Sequence, residues 1–475
     1  MADSPVDVLR RVAHHRIVLA LWLSLGTVVA ARELARSPLF HADRWPIDFH
    51  VFWCAGKVTA QHANPYTVEP LRSCEHARGA SGLRMARNEV IPFVLPAYDL
   101  VPFRALAQLP SPFAAAVFSA AAVIALAFGI FLIARTTETP LAACAGALGL
   151  SAGLPSLVLG QIVPFELLFM GVAAWALRTN RPRLAGACAA LSLAEPHAGV
   201  FVVTSLLLFV PRSRPAIAVG VVALFAVWTM QTGLRTELSY PAILRGQAAA
   251  EANFSEQYSA TYAAALAGLP KPAALVVGAV SSAALFGLAL WLARKLAPAM
   301  SAPALVYVPA ACAVTSGTYV HLPQIALAVP AALLVLRHAR PRGARALGAV
   351  AVMLLAVPWP YAIDLKQVLA AALLAVALVA WYVGSGYRWA AIAVVTCWIV
   401  LIPFENRPPA PQPSPRIARA APNASATVSW AALVDQVTSR TPRSRGEKAP
   451  TWLGLVALLA AAALCASRTR APMNA

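Results

Sequence analysis

The chain has 475 residues, of which 60% are hydrophobic and only 12% charged, and its mean hydropathy is +0.68. A soluble domain carries roughly 25% charged residues, so an ordinary soluble fold is excluded. The net charge of +19 reads as cytoplasmic orientation signals between membrane spans rather than as a nucleic-acid surface.

Apolar runs of about 17–22 residues recur along the whole chain, each long enough to cross a hydrocarbon core of ~30 Å. The expected fold class is therefore all-α, a polytopic helical membrane protein. The first run, Ile17 to Ala31, lacks a convincing small-residue cleavage site and reads as a retained span. Basic clusters mark the cytoplasmic side: Arg10, Arg11 and Arg16; Arg178 to Arg183; Arg212 and Arg214; Arg294 and Lys295; Arg337 to Arg345; and Arg468 with Arg470. Helices threaded between these marks fall near 16–33, 112–134, 141–159 and 162–177, then 184–195, 197–210 and 215–233. The remaining spans lie near 272–293, 299–317, 322–336, 346–362, 366–383, 388–404 and 451–467. The total is about 12–14 helices.

Segment 184–210 starts and ends at basic clusters, and Pro196 breaks it in the middle. Two half-length helices meeting at a polar break are tolerated where protein or water surrounds them. The segment is thus expected to be a hairpin with its tip toward the outer side, where Glu195 and His197 sit. This topology leaves outer loops at 34–111 and 234–271. A third outer stretch, 405–450, is rich in Pro, Ala, Ser and Arg and reads as a disordered linker. Its Asn423-Ala-Ser sequon is a pattern common by chance. The chain accordingly divides into a transmembrane body (1–404), the linker (405–450), and a last span with a short basic tail (451–475).

Of seven cysteines, Cys144, Cys188, Cys312, Cys397 and Cys465 lie in apolar runs and read as small core residues. Cys54 and Cys74 share the first outer loop. A bridge between them depends on that loop facing an oxidising compartment, and spacing alone leaves this open.

The first outer loop opens with "RWPIDFHVFWCAG", which sets Asp48 and His50 among aromatic rings. Trp45 and Trp53 read as interfacial anchors. Further polar residues fall at expected outer ends: Gln161, Glu195, His197, Arg245, Asn253, Tyr319 and His321. Ionisable groups near membrane depth are functional candidates by default. Here they come to one side from distant parts of the chain. A carboxylate beside aromatic rings in a partly desolvated site has a raised pKa and becomes a competent general base. An apolar groove beside it suits a lipid-linked substrate. No Walker loop, dinucleotide fingerprint or metal helix is visible, and no carboxylate set suited to Mg²⁺ or Mn²⁺ appears. No metal or cofactor is therefore expected.

"DFHVFWCAGKVTAQHANPY" (Asp48 to Tyr66) resembles the opening motif of family 87 glycosyltransferases. "FVLPAYDLVPFRALAQLP", "LGQIVPF", "RPRLAGACAALSLAEPHAG", "NFS" and "TYVHLPQIALAVP" are similar to later motifs of that family, in the same order, over about residues 15–340. The family's Lys before Pro196 is Glu195 here. The resemblance implies a GT-C type membrane fold with a catalytic first outer loop. It also implies a polyprenyl-phosphate hexose donor, mannose or another hexose, used to glycosylate an envelope lipid or glycan with inversion. In that reading Asp48 is the base, and His321, then Arg245, clamps the donor phosphate. Gln161, Glu195, His197, Asn253 and His50 contact substrate, and catalysis takes place at the outer face of a bacterial plasma membrane. Two other readings stay open: a lipid or solute transporter, for which no paired repeat is visible, and a non-catalytic envelope-assembly subunit.

Overall fold

The computed structural model describes residues 46–77, 88–357, 359, 418–440 and 448–468. Trp45 and the spans expected at 16–33, 366–383 and 388–404 lie outside the described residues.

Most of the apolar stretches begin with a proline, which fits the first helical turn because its missing N–H has no partner there anyway. Helices α1 (Ile47–Ala60), α2 (Val68–Glu75) and α3 (Leu100–Leu106) lie in the first loop expected to face outward. Then come α4 (Ser111–Thr137) and a return run built from α5 (Leu141–Cys144), a π turn (Ala145–Ala152) and α6 (Leu154–Leu159). Helices α7 (Val163–Arg178), α8 (Pro182–Leu191), α9 (Pro196–Phe209) and α10 (Arg214–Thr232) follow. The second loop expected to face outward holds α11 (Leu234–Ala250) and α12 (Ala260–Leu266). Beyond it lie α13 (Lys271–Leu296), α14 (Ala304–Thr315), α15 (Val329–His338) and α16 (Arg342–Leu355). The described chain ends with α17 (Ala426–Arg440) and α18 (Ala449–Arg468).

Among the described residues the fold is all-helical, and four helices are long and apolar enough to cross a membrane: α4, Pro211–Thr232, α13 and α18. Their outward faces carry Phe128, Val219, Val222, Val276 and Val280, all more than half exposed. Such apolar surface suits lipid rather than water. Helices α8 and α9, with 10 and 14 residues, are about 15 and 21 Å long, too short to span ~30 Å. They meet at Glu195, whose backbone (φ −106°, ψ 85°) leaves the α region, which a following proline disfavours.

One large core runs through α4, α7, α9, α14, α15 and α18, with fully buried Leu167, Met170, Val202, Tyr307 and Leu334. The Tyr307 hydroxyl meets the Thr136 hydroxyl at 2.7 Å, tying α14 to α4. A second core joins α1, α2, α3 and the start of α4 through Phe49, Phe52, Leu71, Phe93, Phe103 and Phe118. Gly56 makes this possible: a Cβ there would stand 2.5 Å from the Phe103 backbone, so α1 and α3 touch through their main chains. Cys54 and Cys74 form a disulfide between α1 and α2.

Two sequence expectations are corrected. The stretch 405–450 is not a disordered linker throughout, because 418–440 is ordered against the protein. Residues 422–426 run beside 66–69, with Val68 N–H donating to Ala424 (2.9 Å), Glu69 N–H to Pro422 (2.8 Å) and Ala426 N–H to Tyr66 (2.9 Å). Helix α17 then packs on α11, burying Leu433 and Val434. A composition-level reading averages this helical run with its Pro-rich flanks and misses it. Trp53, in turn, is no interfacial anchor. It is 6% exposed and donates from Nε1 to the Leu106 carbonyl at 3.2 Å.

Candidate active site

The site grows from a tight turn. Gly160, between α6 and α7, has φ +74°, and a Cβ there would lie 2.6 Å from Pro46 Cβ and 2.7 Å from Phe49 Cβ. Only glycine combines that left-handed backbone with so close an approach. The next residue, Gln161, consequently reaches α1, and its amide Nε2 donates to Asp48 Oδ2 at 2.6 Å. Asp48 sits in the first turn of α1, where the helix dipole favours negative charge.

Asp48 faces a cavity of about 460 Å³ that is also lined by Gln161, Glu195, His197, Tyr319 and His321. Five of the eight candidate residues thus meet in one space: Asp48, Gln161, Glu195, His197 and His321. They come from the tip of the α8–α9 hairpin and from the ends of spans expected to face outward. Apolar walls are supplied by Val51, Phe52, Leu159, Phe201 and Leu322.

Sequence alone gives Glu251 no role, yet it organises one side of the cavity. Its carboxylate, only 2% exposed, accepts from His321 Nε2 at 2.7 Å and from Gln247 Nε2 at 2.6 Å. It also accepts from Gln257 Nε2 and from Trp430 Nε1 at 2.7 Å. Four donors on one carboxylate stabilise its charge in a buried place. The backbone N–H of His321 donates to Gln324 Oε1 at 2.7 Å, and Gln324 Nε2 donates to Glu195 Oε2 at 3.2 Å. His197 Nδ1 lies 3.6 Å from the same Glu195 oxygen. Local signals for Gln324 ("HLPQ") and for Trp430, a lone Trp in a Pro/Ala-rich stretch, are present in the chain. Nothing local says that they converge.

Burial raises the Asp48 pKa to about 6, with the Gln161 hydrogen bond and the His321 charge opposing and the Glu251 charge adding. For His321, burial pulls the pKa down. The charge and hydrogen bond of Glu251, helped by Asp48 and Glu256, outweigh this, so it stays protonated above the usual imidazole range. A base that is free near neutral pH thus faces a cation held by a fixed carboxylate.

Three candidates do not join the cavity. His50 is fully buried, its Nε2 3.3 Å from the Glu75 carbonyl and its ring stacked on Trp53. Two residues on a helix subtend about 200°, so Asp48 and His50 must face opposite ways. Burial holds the His50 pKa below its ordinary value despite that hydrogen bond. Arg245 is exposed on α11 and does not line the cavity. Asn253 is half-buried in the loop after α11, where its neighbour Phe254, not Asn253, lines the space. Among the described lining residues there is no Lys or Arg.

No family model, curated protein or solved structure matches the chain.

Proposed function

We propose that the chain is a membrane glycosyltransferase that moves a hexose from a polyprenyl-phosphate carrier to a hydroxyl acceptor at the outer face of a bacterial plasma membrane. The observation that carries this reading is the half-buried Asp48, oriented by Gln161, in a cavity with apolar walls at the end of the helices expected to face outward. Mannose as the sugar and family 87 membership rest on the motif resemblance alone.

In this reading Asp48 Oδ accepts the proton as the acceptor O–H bond breaks. The acceptor oxygen bonds to the anomeric carbon from the face opposite the phosphate. The C–O bond to phosphate breaks with its electron pair leaving on the phosphate, so no acid is needed. The absence of Lys and Arg from the described lining leaves His321 to face the phosphate. The Cys54–Cys74 disulfide supports an oxidising compartment for this loop.

A specific observation favours proton-coupled transport as a second reading. Glu166 in α7 is fully buried, and both its carboxylate oxygens lack a hydrogen-bond partner in the described structure. Intramembrane carboxyls of that kind mark proton relays.

The test is transfer of label from a panel of radiolabelled polyprenyl-phosphate sugars into native lipid extract, using membranes that hold the purified chain. Wild type and Asp48→Asn are compared at equal folded amount. Transfer by wild type alone supports the proposal. Equal transfer by both removes Asp48 as the base. Transfer by neither, together with pH-gradient-driven uptake that Glu166→Gln abolishes, puts the transport reading first.

A further inference from the structure

The ordered strap 418–440 contributes a side chain to the cavity from a part of the chain remote from every other lining residue. It is anchored on the first outer loop by the hydrogen bonds of residues 422–426 to 66–69 and by Ser429 Oγ donating to the Asn88 carbonyl at 3.1 Å. Gly246 lets α17 come close to α11, since a Cβ there would stand 2.9 Å from Thr427 Oγ1. One turn further on, Trp430 lines the cavity, crosses the Phe254 ring edge-on at 5.7 Å between centroids, and donates from Nε1 to Glu251 Oε1. His321 bonds the other oxygen of that carboxylate, Oε2.

We propose that Trp430 is a positioning residue of the active cavity, holding Glu251 and through it His321, so that the 418–440 strap is part of the site and not a tether to the last helix. The inference rests on the proposed transfer reaction for its consequence, and on geometry alone for the coupling itself. Trp430 takes up part of the negative charge of Glu251 through a charge-assisted hydrogen bond. Without that donor more of the charge bears on the His321 N–H, and the imidazole keeps its proton to higher pH. The titratable groups around His321 are Asp48, Glu195, His197, Glu251, Glu256 and Tyr319. Of these, only Glu251 is bonded both to His321 and to the strap.

The experiment uses the full chain in detergent and follows carbethoxylation of His321 by diethyl pyrocarbonate against pH, read by mass spectrometry of its peptide. In Trp430→Phe the ring is kept and the donor lost. The reactivity midpoint is expected to rise by about half a pH unit or more, and transfer, where measurable, to fall about tenfold with KM little changed. Glu251→Gln is expected to lower the midpoint. Adding Trp430→Phe to it is expected to change nothing further, because two residues acting through one bond are not additive. A midpoint that stays or falls in Trp430→Phe, or a further shift in the double variant, overturns the positioning role and leaves the transferase reading standing. The expected shifts without transfer from any donor keep the coupling and sink the transferase reading instead. Trp430→Gln retains an N–H donor. If it folds and restores the wild-type midpoint it confirms the bond as the cause, and a Trp430→Phe-like midpoint in it counts against.

Discussion

At the residue scale, the pKa values of Asp48 and His321 are both raised, that of Asp48 by burial and that of His321, against its burial, by Glu251. Burial lifts Asp48 to about 6, so the carboxyl is protonated and inert as a base below that pH and active above it. Transfer measured as kcat/KM is therefore expected to rise as pH rises through about 6. The Gln161 hydrogen bond stabilises the anion and lowers this pKa. On the proposed reaction, Gln161→Leu is thus expected to move the acid limb to higher pH, and an unmoved limb would show that the bond is not formed in the functioning protein. Asp48→Asn removes the proposed base altogether. The expected loss is on the order of 10²–10⁴ in kcat, the usual contribution of general base catalysis. His50, two positions away but buried against Glu75 and Trp53, belongs to the packing of the loop. His50→Gln is expected to lower stability and to leave the pH profile of the folded fraction unchanged.

At the scale of elements, two devices place these residues. The first is the α6–α7 turn, where Gly160 brings Gln161 against α1. Gly160→Ala meets both a positive φ and a clash with Pro46 and Phe49. It is expected to cost about 1–3 kcal/mol, seen as a lower melting temperature in detergent, and to shift the acid limb as Gln161→Leu does. The second is the disulfide from α1 to α2, which closes a loop of sequence separation 20. Cys74→Ser is expected to cost about 3 kcal/mol by loop entropy, checked by the same melting measurement with and without reductant. The hairpin α8–α9 is legible in the amino-acid sequence, because a proline between two basic-flanked half-spans leaves few other solutions. The strap is not, because only packing against α11 shows that its apolar residues share a face.

At the scale of the whole molecule, the expected alternation of sides brings Asp48, Gln161, Glu195 and His321 to one end of the helices. Arg178 and Glu138 pair at 2.7 Å at the other. An impermeant maleimide on intact cells is expected to label a cysteine placed at Gln61 and not one placed at Arg181. The reverse pattern would invert the topology and place the cavity in the cytoplasm.

What the chain alone determined follows from properties that are local. Apolar length and proline positions set where helices start and stop, and basic clusters between them set the expected sides, because hydrophobicity and charge act on each segment separately. The same local cues marked Asp48, Gln161, Glu195, His197 and His321 as polar residues at one end. Tertiary structure alone decided which of them meet and who holds them, since that depends on helix rotation and on contacts between distant segments. Asp48 faces the cavity while His50 turns away. Arg245 stays outside while Glu251, six residues on, gathers His321, Gln247, Gln257 and Trp430 around one carboxylate. A buried charge needs donors from whatever part of the chain can reach it, and reach is a property of the fold.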